Sequence, residues 1–146
     1  VTVPEIPNKD VLLKLKSHPM WNEYNSRCIS CGACTIACST CTCFTTTDII
    51  YNENGSVGER KRTSASCQVK GFTDMAGGMS FRKTAAERMR YKVLHKFHDY
   101  KARFKDYHMC VGCGRCIDRC PEYISIAATV EKMSKAIDEI VAEENK

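Results

Sequence analysis

Two cysteine runs constrain this 146-residue chain more than anything else in it. Cys110-Val-Gly-Cys113-Gly-Arg-Cys116-Ile-Asp-Arg-Cys120-Pro121 has the spacing C-x2-C-x2-C-x3-C-P, which holds iron–sulfur cubanes. Three close thiolates take three irons of one cube. The fourth lies on the helix turn beyond them, points away, and ligates a second cube. One such run is therefore incomplete alone. Cys28-Ile-Ser-Cys31-Gly-Ala-Cys34-Thr-Ile-Ala-Cys38 supplies its counterpart at the same spacing. The exchange assigns Cys28, Cys31, Cys34 and Cys120 to one [4Fe-4S] cluster. It assigns Cys38, Cys110, Cys113 and Cys116 to the other. Each run also carries a glycine after its second cysteine, Gly32 or Gly114, where a backbone without Cβ can turn tightly around a cube. Ile36 and Ile117 are the apolar neighbours expected to exclude water. Zinc is the alternative for these eight positions. It takes four ligands in two pairs, which fits a triplet plus one less well.

Eleven cysteines in all, an odd number, argue against a disulfide framework. Thiolates that bind iron need a reducing compartment. Lys9, Asp10, Lys14 and Lys16 interrupt every apolar run near the N-terminus, so no signal peptide is expected. No stretch is long enough to span a membrane. A soluble, cytoplasmic protein is the expectation, and Val1 in place of Met suggests a piece of a longer or processed product. The formal charge of +5 counts every cysteine as neutral. Two oxidised cubes with their thiolates carry about −2 each and bring the balance to roughly +1. The basic excess then offsets cofactor charge and implies neither a nucleic-acid nor a membrane partner.

Cys41, Cys43 and Cys67 remain. They could hold a third cluster with a fourth ligand from elsewhere, or zinc, or be buried thiols. Metal ligation is the favoured reading, because C-x-C beside another cysteine is an uncommon way to fill a core.

Around these motifs, Asp10 is expected to cap a short helix, Val11 to Ser17, ended by Pro19. Trp21 reads as a packing residue covering a cluster. Phe44 to Tyr51 and Val57 to Thr63, joined through Asn54-Gly55, predict a β-hairpin. Met75 to Met79 is a loop whose paired glycines match no phosphate-binding fingerprint. Thr84-Ala-Ala-Glu87 is a capping box opening a helix to about Lys105, with Met89, Val93, Phe97, Tyr100 and Phe104 as its apolar stripe. Arg82 to Lys105 carries nine Lys or Arg. They read as a solvated face or as a docking surface for an acidic redox partner. His95 and His98 read as surface or packing residues. Tyr123 to Ala127 is expected to be extended, followed by a helix from Val130 to about Glu143. No Ser/His/Asp or Cys/His pairing is visible, and a cube with four cysteine ligands leaves no iron open to a substrate. No catalytic residue is assigned. Adjacent cubes are one-electron relay sites.

The order of the motifs is more specific than the two runs. Cys28-x2-Cys31-Gly-x-Cys34-Thr-x2-Cys38-x-Thr-Cys41-x-Cys43-Phe44 is followed by Arg60-Lys-Arg-Thr-x-Ala-Ser-Cys67, Ala76-Gly77-Gly78-x-Ser-Phe81-Arg82, Ala86-Glu87-Arg88 and His108-Met-Cys110-Val-Gly-Cys113-Gly-Arg-Cys116. Over about residues 27–127 the chain resembles the ferredoxin-like part of the A subunit of the anaerobic, NADH-dependent sulfite reductase. The β subunit of soluble nickel–iron hydrogenases (sulfhydrogenases) is similar over the same region. Cys120-Pro-Glu-Tyr-Ile-Ser and Ser-Cys67-Gln-Val favour the sulfite reductase family. The chain departs from that pattern at Ser39, where a proline commonly follows the fourth cysteine, and in its shorter N-terminal part.

The expected fold is α+β: a ferredoxin-like dicluster domain at 27–127 with a hairpin-plus-helix insertion at 39–109. A lead-in at 1–26 and a C-terminal helix at 128–146 flank it. The resemblance implies a non-catalytic electron-transfer subunit of an oxidoreductase complex. Electrons would arrive from NADH through a flavin subunit, then leave toward a sirohaem subunit that reduces sulfite to sulfide. Neither an NADH nor a sirohaem site is visible here, so those cofactors belong to partners. The alternatives are the electron-transfer β subunit of a soluble nickel–iron hydrogenase and, from another class, a zinc-stabilised binding module.

Overall fold

The computed structural model describes residues 1–144; the last two positions of the expected C-terminal segment lie outside the described residues. Helix α1 spans Lys9–Ser17. Its cap is Asn8 rather than Asp10: the Asn8 side-chain oxygen accepts from the Val11 N–H at 2.8 Å. Asp10 instead sits in the first turn, where a carboxylate suits the positive helix end. Val11 and Leu15, one turn apart, are fully buried, and Leu13 faces outward. Pro19 opens a 3-10 turn, Pro19–Trp21. Trp21 Nε1 donates to the Leu15 carbonyl at 2.8 Å. Trp21 is a packing residue as expected, but it belongs to the helical core and lines neither cysteine cavity described below.

Two short helices come next, α2 (Tyr24–Arg27) and α3 (Ala33–Ile36). Strands β1 (Phe44–Ile50) and β2 (Gly58–Ser64) then form an antiparallel hairpin with Phe44 opposite Ser64 and Asp48 opposite Arg60. Asn52 and Asn54 side chains accept from Val57 and Ser56 N–H and shape its tip. Every residue of both strands is exposed. The ladder is held by its own backbone bonds, the Arg60–Asp48 pair and Arg62 lying 3.7 Å over the Phe44 ring.

Helix α4 spans Ala85–Leu94 and opens on the expected capping box, with Thr84 and Glu87 bonded reciprocally. It continues through a π-helical turn, His95–Asp99, into α5, Tyr100–Phe104. The wider π turn admits an extra residue and rotates the helix beyond it. The apolar stripe therefore holds for Met89, Val93 and Phe97, which are buried, and fails at Phe104, which is half exposed. The turn also presents the Lys96 carbonyl to the Met109 N–H at 3.0 Å, tying this helix to the residue before Cys110.

Helix α6 (Arg115–Asp118) and helix α7 (Ile126–Glu144) complete the described residues. α7 starts four residues earlier than the sequence suggests. The Ser125 hydroxyl accepts from Ala128 N–H and its carbonyl accepts from Thr129 N–H, so the expected extended run is cut to the short irregular stretch 123–125, in which Tyr123 is left-handed (φ +50°). The core lies between α1, α4 and α7, filled by Val11, Leu15, Met89, Val93, Val130, Met133 and Ile137. Each fully buried side chain of this size contributes roughly 1.5–3 kcal/mol. Tyr24 enters the same core, and its hydroxyl meets Thr129 Oγ1 at 2.8 Å. The two cysteine runs sit on one side of α4, held by a helical layer that is itself well packed.

Candidate metal centre

The two runs fold alike. In each, the glycine after the second cysteine adopts a left-handed conformation, φ +81° at Gly32 and +78° at Gly114. That turn leads into one short helix, α3 or α6, carrying the third cysteine near its start. α3 and α6 pack against each other, which brings the runs together across 72 positions of sequence.

Two cavities result. The first is lined by Cys28, Cys31, Cys34, Cys116 and Cys120, with Met89, Ile124 and Ile126 as apolar wall. The second is lined by Cys34, Cys38, Cys110, Cys113 and Cys116, with Ile117 and Ile126. Each cavity thus meets three cysteines of one run and the fourth cysteine of the other. Ile117 takes the shielding place expected of it. Ile36 does not: it is 58% exposed, and Ile124 and Met89 stand there instead. Cys31 and Cys113 are exposed, flanked by exposed Ile29 and Val111, so each cavity has one edge at the surface.

The donor set suits an anionic cluster. Burial pushes the Cys28 and Cys116 thiols up, with Lys92 opposing it at Cys116. Burial also acts on Cys38, but the Thr40 hydroxyl and N–H, Cys41 and Lys96 together outweigh it and bring this thiol down to about 6. Lys96 Nζ donates to Cys38 Sγ and to Thr40 Oγ1, both at 3.3 Å. The Ile124 N–H points at Cys120 Sγ, 3.3 Å away, the kind of contact that tunes a ligating sulfur.

The three further cysteines divide. Cys43 neighbours Cys67, and burial followed by that neighbouring sulfur pushes the Cys43 thiol up. Cys67 is buried, with Thr35 Oγ1 at 3.6 Å and Gln68 Nε2 at 3.7 Å from its sulfur. Cys41 instead lies against Cys38 and Lys96, and burial raises its thiol to about 11. Among the described residues, no group of three or more His, Cys, Asp or Glu side chains converges as a single ion would require.

The basic helix departs most from the sequence reading. Arg88, Lys92 and Lys96 are only 4–5% exposed, neither solvated nor free to dock a partner. They recur every fourth residue along α4 and into the π turn that follows it, and so share the face turned to the cysteines. Arg88 is spent on structure. It donates to the carbonyls of Gln68, Arg82 and Lys83 and to Ser30 Oγ, binding the loop of Cys67 to the first run. Lys92 lines both cavities. The signal was present in the sequence as basic residues at 88, 92 and 96 beside the apolar positions 89, 93 and 97. His95 and His98 are packing and surface residues as expected. His95 stacks on Tyr91 at 5.4 Å, and His98 pairs with Asp99.

No helix among the described residues is long and apolar enough to cross a membrane. The family model for the 4Fe-4S dicluster domain matches residues 27–124. The chain is also 31% identical over 129 residues to the sulfhydrogenase 2 subunit beta of Pyrococcus furiosus. That alignment covers 88% of this chain and 37% of the relative, so the chain spans little more than a third of the relative's length. No solved structure matches it. The α+β ferredoxin-like iron–sulfur architecture, the paired motifs and the matched family agree, and the chain belongs to the 4Fe-4S dicluster domain family.

Proposed function

We propose that this chain is the electron-relay part of a multi-subunit oxidoreductase. Cys28, Cys31, Cys34 and Cys120 would hold one [4Fe-4S] cluster, and Cys38, Cys110, Cys113 and Cys116 the other. The observation that carries this reading is the pair of adjacent cavities, each lined by three cysteines of one run and the fourth of the other. When bound, such clusters pass single electrons without opening an iron to substrate. The chain's own residues position the thiolates, exclude water with Met89, Ile124, Ile126 and Ile117, and leave one exposed edge per site at Cys31 and Cys113. Those two edges are the natural points for electron arrival and departure.

The relative favours the β subunit of a sulfhydrogenase as the model for the whole assembly. The partners would then be a flavin subunit that draws on NADH and a nickel–iron subunit. The sulfite reductase reading, in which a sirohaem subunit is the terminal partner, keeps its support in Ser66-Cys67-Gln68-Val69 and Cys120-Pro121-Glu122-Tyr123. A reducing cytoplasmic setting suits either reading. The test is anaerobic purification of the tagged chain from its native cells. A co-purifying nickel protein supports the hydrogenase assembly, and a protein with the sirohaem absorption spectrum supports sulfite reduction. A stable chain that co-purifies with no redox protein would defeat the relay role.

A further inference from the structure

Lys92 and Lys96 are buried ammonium groups, and among the described residues neither forms an ion pair with a carboxylate. A buried charge without a counter-ion is strongly unfavourable and ordinarily neutralises or is replaced. The hydrogen-bond partners of Lys96 Nζ among the described residues are Cys38 Sγ and Thr40 Oγ1, each at 3.3 Å. Lys92 has no side-chain hydrogen bond among the described residues and lines both cavities with the cysteines; Glu122, on the rim of the first, is exposed and forms no ion pair with it. These two lysines therefore make electrostatic sense only with negative charge in the cavities. A four-thiolate cube supplies it, at about −2 when oxidised. Arg88, on the same face, is satisfied by three carbonyls and a hydroxyl and lines neither cavity, so it has no such role.

We propose that Lys92 and Lys96 are built-in counter-charges that raise the reduction potentials of the two sites, Lys92 acting on both and Lys96 on the site that holds Cys38. This rests on the cavities being cluster sites. Each one-electron reduction adds one negative charge and needs no proton. A fixed positive charge beside the site favours the reduced form, and low surrounding dielectric strengthens the effect. Two sites tuned by a shared lysine stay close in potential, which suits exchange of electrons between them. Lys96 then biases one of the pair, through its contact at 3.3 Å with Cys38 Sγ, and gives the relay a preferred direction.

The experiment is a potentiometric titration of the intact, iron-loaded chain, monitored by EPR. Lys92→Met is expected to lower the reduced-to-oxidised ratio of both sites at least tenfold at a fixed potential, which is about 59 mV for one electron. Lys96→Met is expected to do so at one site and leave the other within about twofold. Lys92→Arg, which keeps the charge, should recover most of the shift. Lys101→Met, which removes an exposed ammonium paired with Glu5, should move neither site. Unchanged potentials in lysine variants with full iron content overturn the proposal while leaving the relay reading intact. A wild-type chain without iron overturns the relay reading itself. Where a variant loses its iron, the wild type still decides. With lysine labelled with nitrogen-15 at Nζ, pulsed EPR of the reduced chain should detect a nitrogen coupling from Lys96, and its absence overturns the contact.

Discussion

Gly32 and Gly114 occupy equivalent places in the two runs and differ in what surrounds them, so alanine at each separates backbone strain from packing. Both glycines are left-handed. A side chain there costs about 1–2 kcal/mol, partly offset by about 0.4–1 kcal/mol from the stiffer unfolded chain. Gly114→Ala should therefore cost about 1 kcal/mol, because its added Cβ meets nothing within 4 Å. At Gly32 the added Cβ falls 2.9 Å from Ser66 Cβ and 2.9 Å from Val69 Cγ2. Ser66 Cβ is fixed to its backbone and cannot swing aside. Overpacking of this kind adds about 1–3 kcal/mol, so Gly32→Ala should cost about 2–4 kcal/mol in all. At about 3 °C per kcal/mol for a chain of this size, the thermal midpoints fall by about 3 °C for Gly114→Ala and about 6–12 °C for Gly32→Ala. The assay is loss of helical circular dichroism and of iron–sulfur absorption in the anaerobic, loaded chain at one fixed scan rate, since such unfolding is rarely reversible. Equal losses at the two positions would refute the packing of the Ser66–Val69 turn, and with it Cys67, against the first run.

The same geometry fixes further outcomes. Cys120→Ser should remove the EPR signal of the cluster held by Cys28, Cys31 and Cys34, and Cys38→Ser that of the other; loss of the same-run cluster would reverse the assignment. Changing Cys41, Cys43 and Cys67 together to Ser should leave about eight irons per chain, because the structure pairs Cys43 with Cys67 and sets Cys41 against Cys38. A fall from about twelve to about eight would instead locate a third cluster at these residues. Glu87 has its carboxyl held below the usual range, chiefly by the Thr84 backbone N–H. A depressed carboxyl stabilises above its unfolded value and loses that contribution as pH falls through the folded one. Glu87→Gln should thus cost about 0.3–1 kcal/mol at neutral pH, measured by thermal unfolding, and lose that penalty as falling pH protonates the wild-type carboxyl; a penalty that stays constant into acid would contradict the carboxylate half of the capping box.

The paired cysteine loops were legible because cysteine spacing is a local property. Cys28 to Cys38 and Cys110 to Cys120 each dictate their own loop, and the exchange of fourth cysteines comes from the turn geometry. The hairpin and the Thr84 capping box were equally local. The features that escaped depend on which side of a helix meets the cysteines. Nine basic residues between Arg82 and Lys105 resemble a solvated face until the packing of α4 turns Arg88, Lys92 and Lys96 inward. The sequence could say that its basic excess offsets cluster charge, but residue spacing alone does not say which members of the row turn toward the cysteines. Phe104 was misplaced for a different reason: the π turn at His95–Asp99 shifts the helical phase without a glycine or proline to announce it. Trp21 and Ile36 show the same limit, one drawn into the helical core and the other left outside.

Everything proposed for this chain depends on two cubanes occupying the two cavities. The deciding measurement is iron and acid-labile sulfide per chain after anaerobic purification, with EPR of the dithionite-reduced protein. About eight of each are expected, with the signals of reduced [4Fe-4S] centres. Near-zero iron with stoichiometric zinc and no EPR signal would show that the cavities hold no clusters.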